Sequence, residues 1–334
     1  MIDFVVLWVN GNDPAWQKEK AQYSPQKTDD SNSDNRFRDW GLMPYWFRAI
    51  EKFTPWVRKI HFVTWGHLPE FLDTTNPKLN IVKHSDFMPE GTLPTFSSHA
   101  LEVNLHRIPD LAENFVYFND DMFILRPMSE EAFFKDGLPC TYGREVPMPF
   151  IGEIGIWQHA SANNMGVINK HFDKRTQFSL YKNKYLNKAY RWQDNLRSYM
   201  LWKLFPNYFY GFENLHAPGA YCKKTFEEVW EKEPDILKST SFNKFRQASD
   251  LNQWVMLWWQ VASGNFHPYC TDNFVCSTNE KTVGLVCDFI ENQQHDMVCI
   301  NDPEKDVNFD MVSEKVRNAF QKILPEKSSF EKQI

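Results

Sequence analysis

The sequence contains no run approaching the ~18 consecutive apolar residues that a membrane-spanning helix needs. Its most apolar opening, Ile2 to Val9, is short and interrupted by Asp3. That stretch has no basic leader and no cleavage motif, so it reads as a buried strand and not as an export signal. Positive charge is not in surplus: 37 Lys and Arg face 43 Asp and Glu, a net charge of −6. This argues against a nucleic-acid binder that works by neutralising phosphates, while leaving room for a local basic pocket. The six cysteines (Cys140, Cys222, Cys270, Cys276, Cys287 and Cys299) are scattered, with no CxxC pair and no metal-type Cys/His cluster. Free thiols in a reducing compartment are expected in preference to disulfides. Glycine is scarce, at 13 residues, and no internal repeat is visible.

What is present is a chain of 334 residues, 42 % hydrophobic and 24 % charged. That composition is globular and long enough for one large domain, or one core with an insertion. Phe, Trp and Tyr number 28, 13 and 12, or 16 % of the chain. So many rings line something besides a minimal core.

The first third alternates strand and helix patterns. Phe4 to Val9 is a near-continuous apolar run, as in a strand buried on both faces. It stops at the turn formers Asn10-Gly11-Asn12-Asp13-Pro14. A polar stretch from Gln17 to Asn35 is too long for an ordinary connection and reads as a lid or binding loop. Leu42, Tyr45, Trp46, Ala49, Ile50 and Phe53 recur at helical spacing up to Pro55. Residues 60–64, 79–82 and 115–118 read as strands, and Ser97-Ser98 as the cap of a helix carrying Leu101, Leu105 and Ile108. This alternation predicts an α/β layer with a mostly parallel sheet, whose ligand sits beyond the carboxyl ends of the strands. The middle of the chain reads as helical: about 173–205, 225–233 and 249–262, the last capped by Ser249. Short strands are expected near 273–276 and 283–289, then an amphipathic helix over 310–324.

Asp120-Asp121, directly after an apolar strand, is the sharpest local signal. Adjacent carboxylates at a strand end suit a hard divalent cation, with substrate phosphates completing its shell; the bland alternative is a solvated turn. Asn10-Gly11-Asn12-Asp13 closes the first strand and reads as a tight turn or a nucleotide contact. Arg36 and Arg38 offer planar forks for phosphate, or a surface ion pair with Asp39. His216 stands in a loop with Pro218 and Gly219 and can accept a proton near neutral pH. Arg246 precedes a helix and can stabilise charge on a phosphoryl group. Asn301-Asp302 repeats the strand-then-Asn-Asp pattern of Asn119-Asp120.

These segments, in this order, resemble the Stealth family of sugar-phosphate transferases. Four blocks carry the resemblance: IDFVVLWVNGNDP (2–14); residues 36–126, with RFRDWG, LPTFSSHALE and FVYFNDDMF; residues 216–250, with HAP and KFRQASD; and CIND (299–302). The second block is the most specific and the third the loosest. The resemblance implies a Rossmann-like (GT-A-like) α/β sheet flanked by helices, with a helical insertion. Expected boundaries are 1–141 for a nucleotide-sugar-binding core, 142–265 for the insertion, and 266–334 for the return to the core and a C-terminal helix. The implied reaction moves hexose- or N-acetylhexosamine-1-phosphate from a UDP-sugar to a sugar hydroxyl and releases UMP.

Under that resemblance, Asp120, Asp121 and Asp302 would hold Mg²⁺ or Mn²⁺. His216, Arg246 and Asp121 would be catalytic. Asn10, Gly11, Asp13, Arg36, Arg38, Asn119 and Asn301 would bind substrate. Implied partners are the UDP-sugar donor and a glycan or lipid-linked oligosaccharide acceptor. The expected location is the cytoplasm, docked on the inner membrane face. Lys182, Lys184, Lys188, Arg191 and Arg197 would meet an anionic or lipid-linked acceptor, or else form a solvated helix face. The aromatic surplus after Tyr142 would stack on an acceptor glycan. Two rival readings stay open: a metal-dependent glycosyltransferase that releases UDP, and a non-catalytic carbohydrate-binding protein.

Overall fold

The computed structural model describes residues 1–24, 37–148, 152–302 and 308–333. Its strands, in chain order, are β1 (Ile2–Leu7), β2 (Ile60–Thr64), β3 (Leu79–Lys83), β4 (Asn114–Phe118), β5 (Met122–Ile124), β6 (Phe134–Lys135), β7 (Leu138–Thr141), β8 (Gly219–Cys222), β9 (His267–Pro268), β10 (Asn273–Ser277) and β11 (Met297–Asn301). Its helices are α1 (Pro14–Tyr23), α2 (Met43–Phe53), α3 (Ser98–Glu102), α4 (Ile156–His171), α5 (Lys174–Leu180), α6 (Lys182–Tyr185), α7 (Trp192–Leu204), α8 (Lys223–Lys232), α9 (Pro234–Phe242), α10 (Trp254–Ala262), α11 (Val283–Glu291) and α12 (Phe309–Ile323).

The main sheet has the order β3-β2-β1-β4-β8. The first four strands are parallel, and β8 runs antiparallel to β4. β1 lies in the middle and is buried along its length, which explains its unbroken apolar run. Side chains alternate across the sheet. Phe4, Val6 and Trp8 enter a core shared with α2, α11 and α12, while Val5 enters a second core with α3, α8 and α10. Asp3 interrupts the run for a reason. Its carboxylate takes hydrogen bonds from Arg58, His61 and the Ala112 N–H, tying β1, β2 and the loop before β4 together at one end of the sheet.

The chain leaves β1 towards β2 and β3, then returns to β4 on the other flank. That reversal makes a crevice beyond the carboxyl ends of β1 and β4, where open α/β sheets hold ligands. A second sheet, β10-β11-β5, closes one wall, because β5 follows β4 after a three-residue turn.

Several expectations need correction. The polar stretch from Gln17 is not loop at its start. Asp13 caps α1 by accepting from the Ala15 and Trp16 N–H groups, with Pro14 at the first helical position. The rest of that expected lid, with Arg36, lies outside the described residues. The helix at Ser97 stops at Glu102 and gives way to a single tight turn, Leu105–Arg107. Ser249 caps nothing: α10 begins at Trp254, and the preceding residues form the loop that carries Arg246. The segment 283–289 is helix α11, not strand. Its apolar run hides a helical face of Val283, Val286 and Ile290, buried at three- and four-residue spacing.

Candidate active site

A cleft of about 690 Å³ opens at the crevice. Its walls come from three places far apart in sequence, and sheet geometry explains how they meet.

The floor is the β4–β5 turn. Met122 N–H donates to Asn119 O, folding Asn119-Asp120-Asp121 into a tip at the carboxyl end of β4. β11 backs this tip: Ile300 N–H donates to Asp121 O, and Cys299 Sγ donates to Asp121 Oδ2 at 3.3 Å. Tyr117 hydroxyl donates to Asn119 Oδ1 at 2.7 Å. The Asn119 Oδ1 oxygen is thus engaged by Tyr117, in a residue that lines the cleft.

His216 arrives by the antiparallel pairing of β8 with β4. Tyr117 lies opposite Gly219, so residues just before Gly219 fall beside those just after Phe118. The His216 backbone sits at φ 46°, a left-handed conformation uncommon outside glycine. Its N–H donates to Asn214 Oδ1, and Asn273 Nδ2 donates to the carbonyls of Leu215 and His216. Asn214 in the same loop and Asn273 on β10 therefore hold the strained His216 backbone in place, and strain of this kind clusters at functional sites.

Arg246 comes from the loop after α9. Asp250, fully buried, organises that loop by accepting from Asn243 Nδ2 and Gln247 N–H, with His99 Nδ1 at 3.2 Å. Arg246 Nη2 then donates to Ser98 Oγ at 2.8 Å and faces the cleft.

Among the described residues, Asp121, His216 and Cys299 present potential ligand atoms within 4.8 Å of one another. The Asp121 Oδ1 atom is buried with no hydrogen-bond partner. An orphaned carboxylate oxygen next to a second carboxylate is costly unless a cation meets it. Burial raises the Asp121 carboxyl above its ordinary range, against the pull of His216 charge and the Cys299 hydrogen bond. Asp120 opens to the cleft yet is ringed by protein. Its carboxyl is pushed up to about 7, first by loss of solvent and then by the charges of Asp121 and Asp39. Burial also pushes the Cys299 thiol well above its usual range, so it stays protonated and acts as a donor to Asp121. The paired carboxylates therefore fit a hard divalent cation such as Mg²⁺ or Mn²⁺, with the His216 imidazole beside them.

The other expected residues divide between the cleft wall and the turn after β1. Asp302, expected as a third metal carboxylate, has both oxygens engaged by Arg38: Nη2 at 2.7 Å and Nε at 3.1 Å. The pair lines the cleft, with the Arg38 guanidinium 4.8 Å from the Phe309 ring. Asn301 also lines the cleft. Asn10, Gly11 and Asp13 are not among the lining residues. Asn10 N–H donates to His67 Nε2, Asn10 Oδ1 accepts from Asn12 N–H, and Asp13 caps α1. Sequence reasoning passed over Cys299, Asn214, Asn273 and Asp250. Only Asn214 carried a local signal, an Asn two residues before the histidine whose N–H it accepts.

Comparison with known proteins then bears on the whole chain. Residues 2–28 match the model of Stealth protein conserved region 1, and residues 36–140 that of conserved region 2. The capsular polysaccharide phosphotransferase WcwK of Streptococcus pneumoniae is 40 % identical, over 99 % of this chain and 98 % of its own length. The chain belongs to the Stealth family. The exopolysaccharide phosphotransferase cps2G of Lactiplantibacillus plantarum is 36 % identical over 99 % of the chain and 96 % of its own length. The receptor polysaccharide phosphotransferase WefC of Streptococcus gordonii is 36 % identical over 99 % and 98 %. With relatives of this kind along its full length, this Stealth protein is a transferase. The two conserved regions supply β1 and the β4–β5 turn; His216, Arg246 and Cys299 lie outside them, in the part shared with the full-length relatives. Among solved structures, the galactosyltransferase LgtC aligns over 95 % of both chains at a TM-score of 0.34 and 10 % identity, too distant to carry an argument.

Proposed function

We propose that the protein transfers hexose- or N-acetylhexosamine-1-phosphate from a UDP-sugar to a sugar hydroxyl. The acceptor is a glycan or lipid-linked oligosaccharide, the setting is capsule or exopolysaccharide synthesis on the cytoplasmic side of the membrane, and the leaving group is UMP. The observation that carries this reading is the convergence of Asp120, Asp121, His216 and Arg246 on one cleft in a chain 40 % identical to a polysaccharide phosphotransferase.

The acceptor oxygen bonds to the β-phosphorus of the donor, and the bond from that phosphorus to the oxygen bridging to the α-phosphorus breaks. UMP departs with the bridging oxygen, and the anomeric C–O bond survives. His216 orients the acceptor hydroxyl and takes its proton. Arg246, steadied by Ser98, faces the charge that develops on the phosphoryl oxygens. Arg38, held flat by Asp302, forms the far wall of the diphosphate site. Asp120 and Asp121 would hold Mg²⁺ or Mn²⁺, leaving the His216 imidazole for the acceptor. Bound there, the cation would neutralise the diphosphate and ease departure of UMP. The tilted and edge-on rings of Trp16, Phe37 and Phe96 line the same cleft and offer an apolar wall to the uracil.

The test is nucleotide analysis of reactions with a panel of UDP-sugars, glycan acceptors and Mg²⁺ or Mn²⁺, alongside mass spectrometry of the sugar product. The expected result is UMP with a product heavier by a sugar phosphate. Release of UDP with a product heavier by a sugar alone would replace this reading with glycosyl transfer.

A further inference from the structure

Helix α7 is inside out. The residues it buries are Asp194 and Ser198, while its large apolar side chains face solvent. Trp192 is 70 % exposed, Leu196 53 % and Leu204 62 %, with Tyr199 and Met200 exposed between them. These five recur at three-, four- and one-residue steps and share one face. The inner face is pinned by polar bonds instead: Asp194 accepts from the Tyr142 hydroxyl at 2.6 Å and pairs with Arg144, and Asn195 bonds Asn187. Only Trp202 anchors that side with a ring, stacked on Phe178. The apolar strip continues past the helix through Phe205 and Tyr208, the latter 63 % exposed.

Charge is segregated along the same stretch of chain. From Lys174 to Phe212 the single acidic residue is Asp194, which is buried and paired. Exposed cations there are Arg175, Lys182, Lys188, Arg191, Arg197 and Lys203, in a chain of net charge −6. Lys184 is not one of them, since it donates to the carbonyls of Gly264 and Phe266.

We propose that the outer face of α7 and the 205–210 strip dock on a bilayer rich in anionic lipid, with α7 lying in the plane of the headgroups. Three observations choose this occupant. A contiguous exposed apolar strip on an otherwise ordinary surface marks an interaction site. Aliphatic Leu196, Met200 and Leu204 offer no flat face for a sugar ring, and among the described residues the strip shares no lining position with the cleft. Its cations would oppose one another across a symmetric contact between two copies, whereas they match an anionic surface. Trp and Tyr at its ends suit the headgroup boundary, and long Lys and Arg side chains reach phosphates from beside a buried apolar face. At 13 residues, α7 is about 20 Å long. The inference extends the proposed work at the membrane face but does not depend on the donor chemistry.

The experiment is flotation of the full chain with vesicles of phosphatidylglycerol and phosphatidylcholine, against vesicles of phosphatidylcholine alone. The protein should float with the anionic vesicles, bind the neutral ones at least tenfold less, and be released by 0.5 M NaCl at roughly the strength expected of several cations. L196S/M200S should weaken flotation at least tenfold while leaving the circular dichroism spectrum and UMP release onto a soluble acceptor unchanged. R197E/K203E, which leaves the apolar strip intact, should weaken flotation to a similar extent. No flotation with anionic vesicles, equal flotation with neutral ones, or unaltered flotation of both variants would overturn the proposal. So would a dimer in solution that L196S/M200S dissolves. Because flotation is read without turnover, its failure leaves the sugar-phosphate reading standing, and failure of UMP release leaves the docking surface standing.

Discussion

Cys299 is buried behind the cleft, yet its bond to Asp121 makes it an informative residue to replace. A protonated, buried thiol that donates to a carboxylate fixes that carboxylate's orientation, and Asp121 is a proposed metal ligand. Replacing the thiol with Ser keeps a donor of similar size; replacing it with Ala removes it. C299A should weaken Mn²⁺ activation by about 10- to 100-fold, the usual effect of losing a bond behind a metal ligand. C299S should stay within about threefold of the parent enzyme. Metal titrations of initial rate check both, and equal behaviour of the two variants would remove Cys299 from this role. His216 permits a similarly sharp test. Asparagine tolerates the left-handed backbone but cannot take a proton near neutrality. H216N should lower kcat by about 10²–10⁴ with donor affinity little changed, read by steady-state kinetics and donor titration. At this scale the sequence was legible where chemistry needs rare groups in a row, as at Asp120-Asp121. It was silent on Cys299 and Asp250, because an inward-facing donor or acceptor acquires its role only from a partner far along the chain.

At the scale of elements, local chemistry and tertiary context divide the credit. The helix at α2 was plain, since its buried Trp46, Phe47, Ile50 and Phe53 recur at helical spacing and Pro55 follows. α1 was missed despite an Asp-Pro start, because its polar face is long and only Trp16 and Lys20 are buried. α11 was misread because Val283, Val286, Phe289 and Ile290 are types that favour strands when nothing local says otherwise. The β1–α1 junction makes a prediction of its own. A methyl group added at Gly11 would stand 2.1 Å from the Phe37 carbonyl, well inside contact distance. The segment bearing Phe37, Arg38 and Asp39 therefore rests directly on bare backbone. G11A should push that wall outward and cost about 1–3 kcal/mol of stability, as overpacking does. Displacing Arg38 by an ångström should cost about 10²-fold in kcat/KM. Urea unfolding and initial rates measure the two. A variant with full activity would show that Arg38 does not need its position.

For the whole molecule, the mostly parallel sheet was legible from alternation alone, but its order was not. Pairing of β8 with β4 joins residues more than a hundred apart, and no local pattern encodes which edge a returning strand takes. That one pairing brings His216 to Asp121. The same long-range packing leaves a global signature in the response to acid. His106 is buried in the turn before β4, against the rings of Phe226 and Trp230. Burial chiefly, with Arg107 and Lys223 nearby, pulls its pKa down from 6.5 to about 3. The fold thus keeps His106 neutral while the unfolded chain protonates it below about 6.5. The unfolded state binds the extra proton, so this contribution to stability is intact above that pH and lost as pH falls towards 3, at about 1.4 kcal/mol per unit. Asp120, raised to about 7, acts in the opposite sense, binding its proton in the fold first. The net slope of the parent protein mixes these with other shifted groups, among them His84, which burial pulls down to about 4, and a difference between variants isolates His106. H106L removes the imidazole and leaves Asp120 in place. At pH 7.5 its stability should lie within about 1 kcal/mol of the parent, since Leu fills an apolar site and removes a ring nitrogen that has no partner. At pH 4.5 it should be the more stable by about 3 kcal/mol relative to that baseline, two units of lost proton penalty. Urea unfolding of both proteins at the two pH values decides it, and parallel stability curves would mean that His106 protonates within the fold.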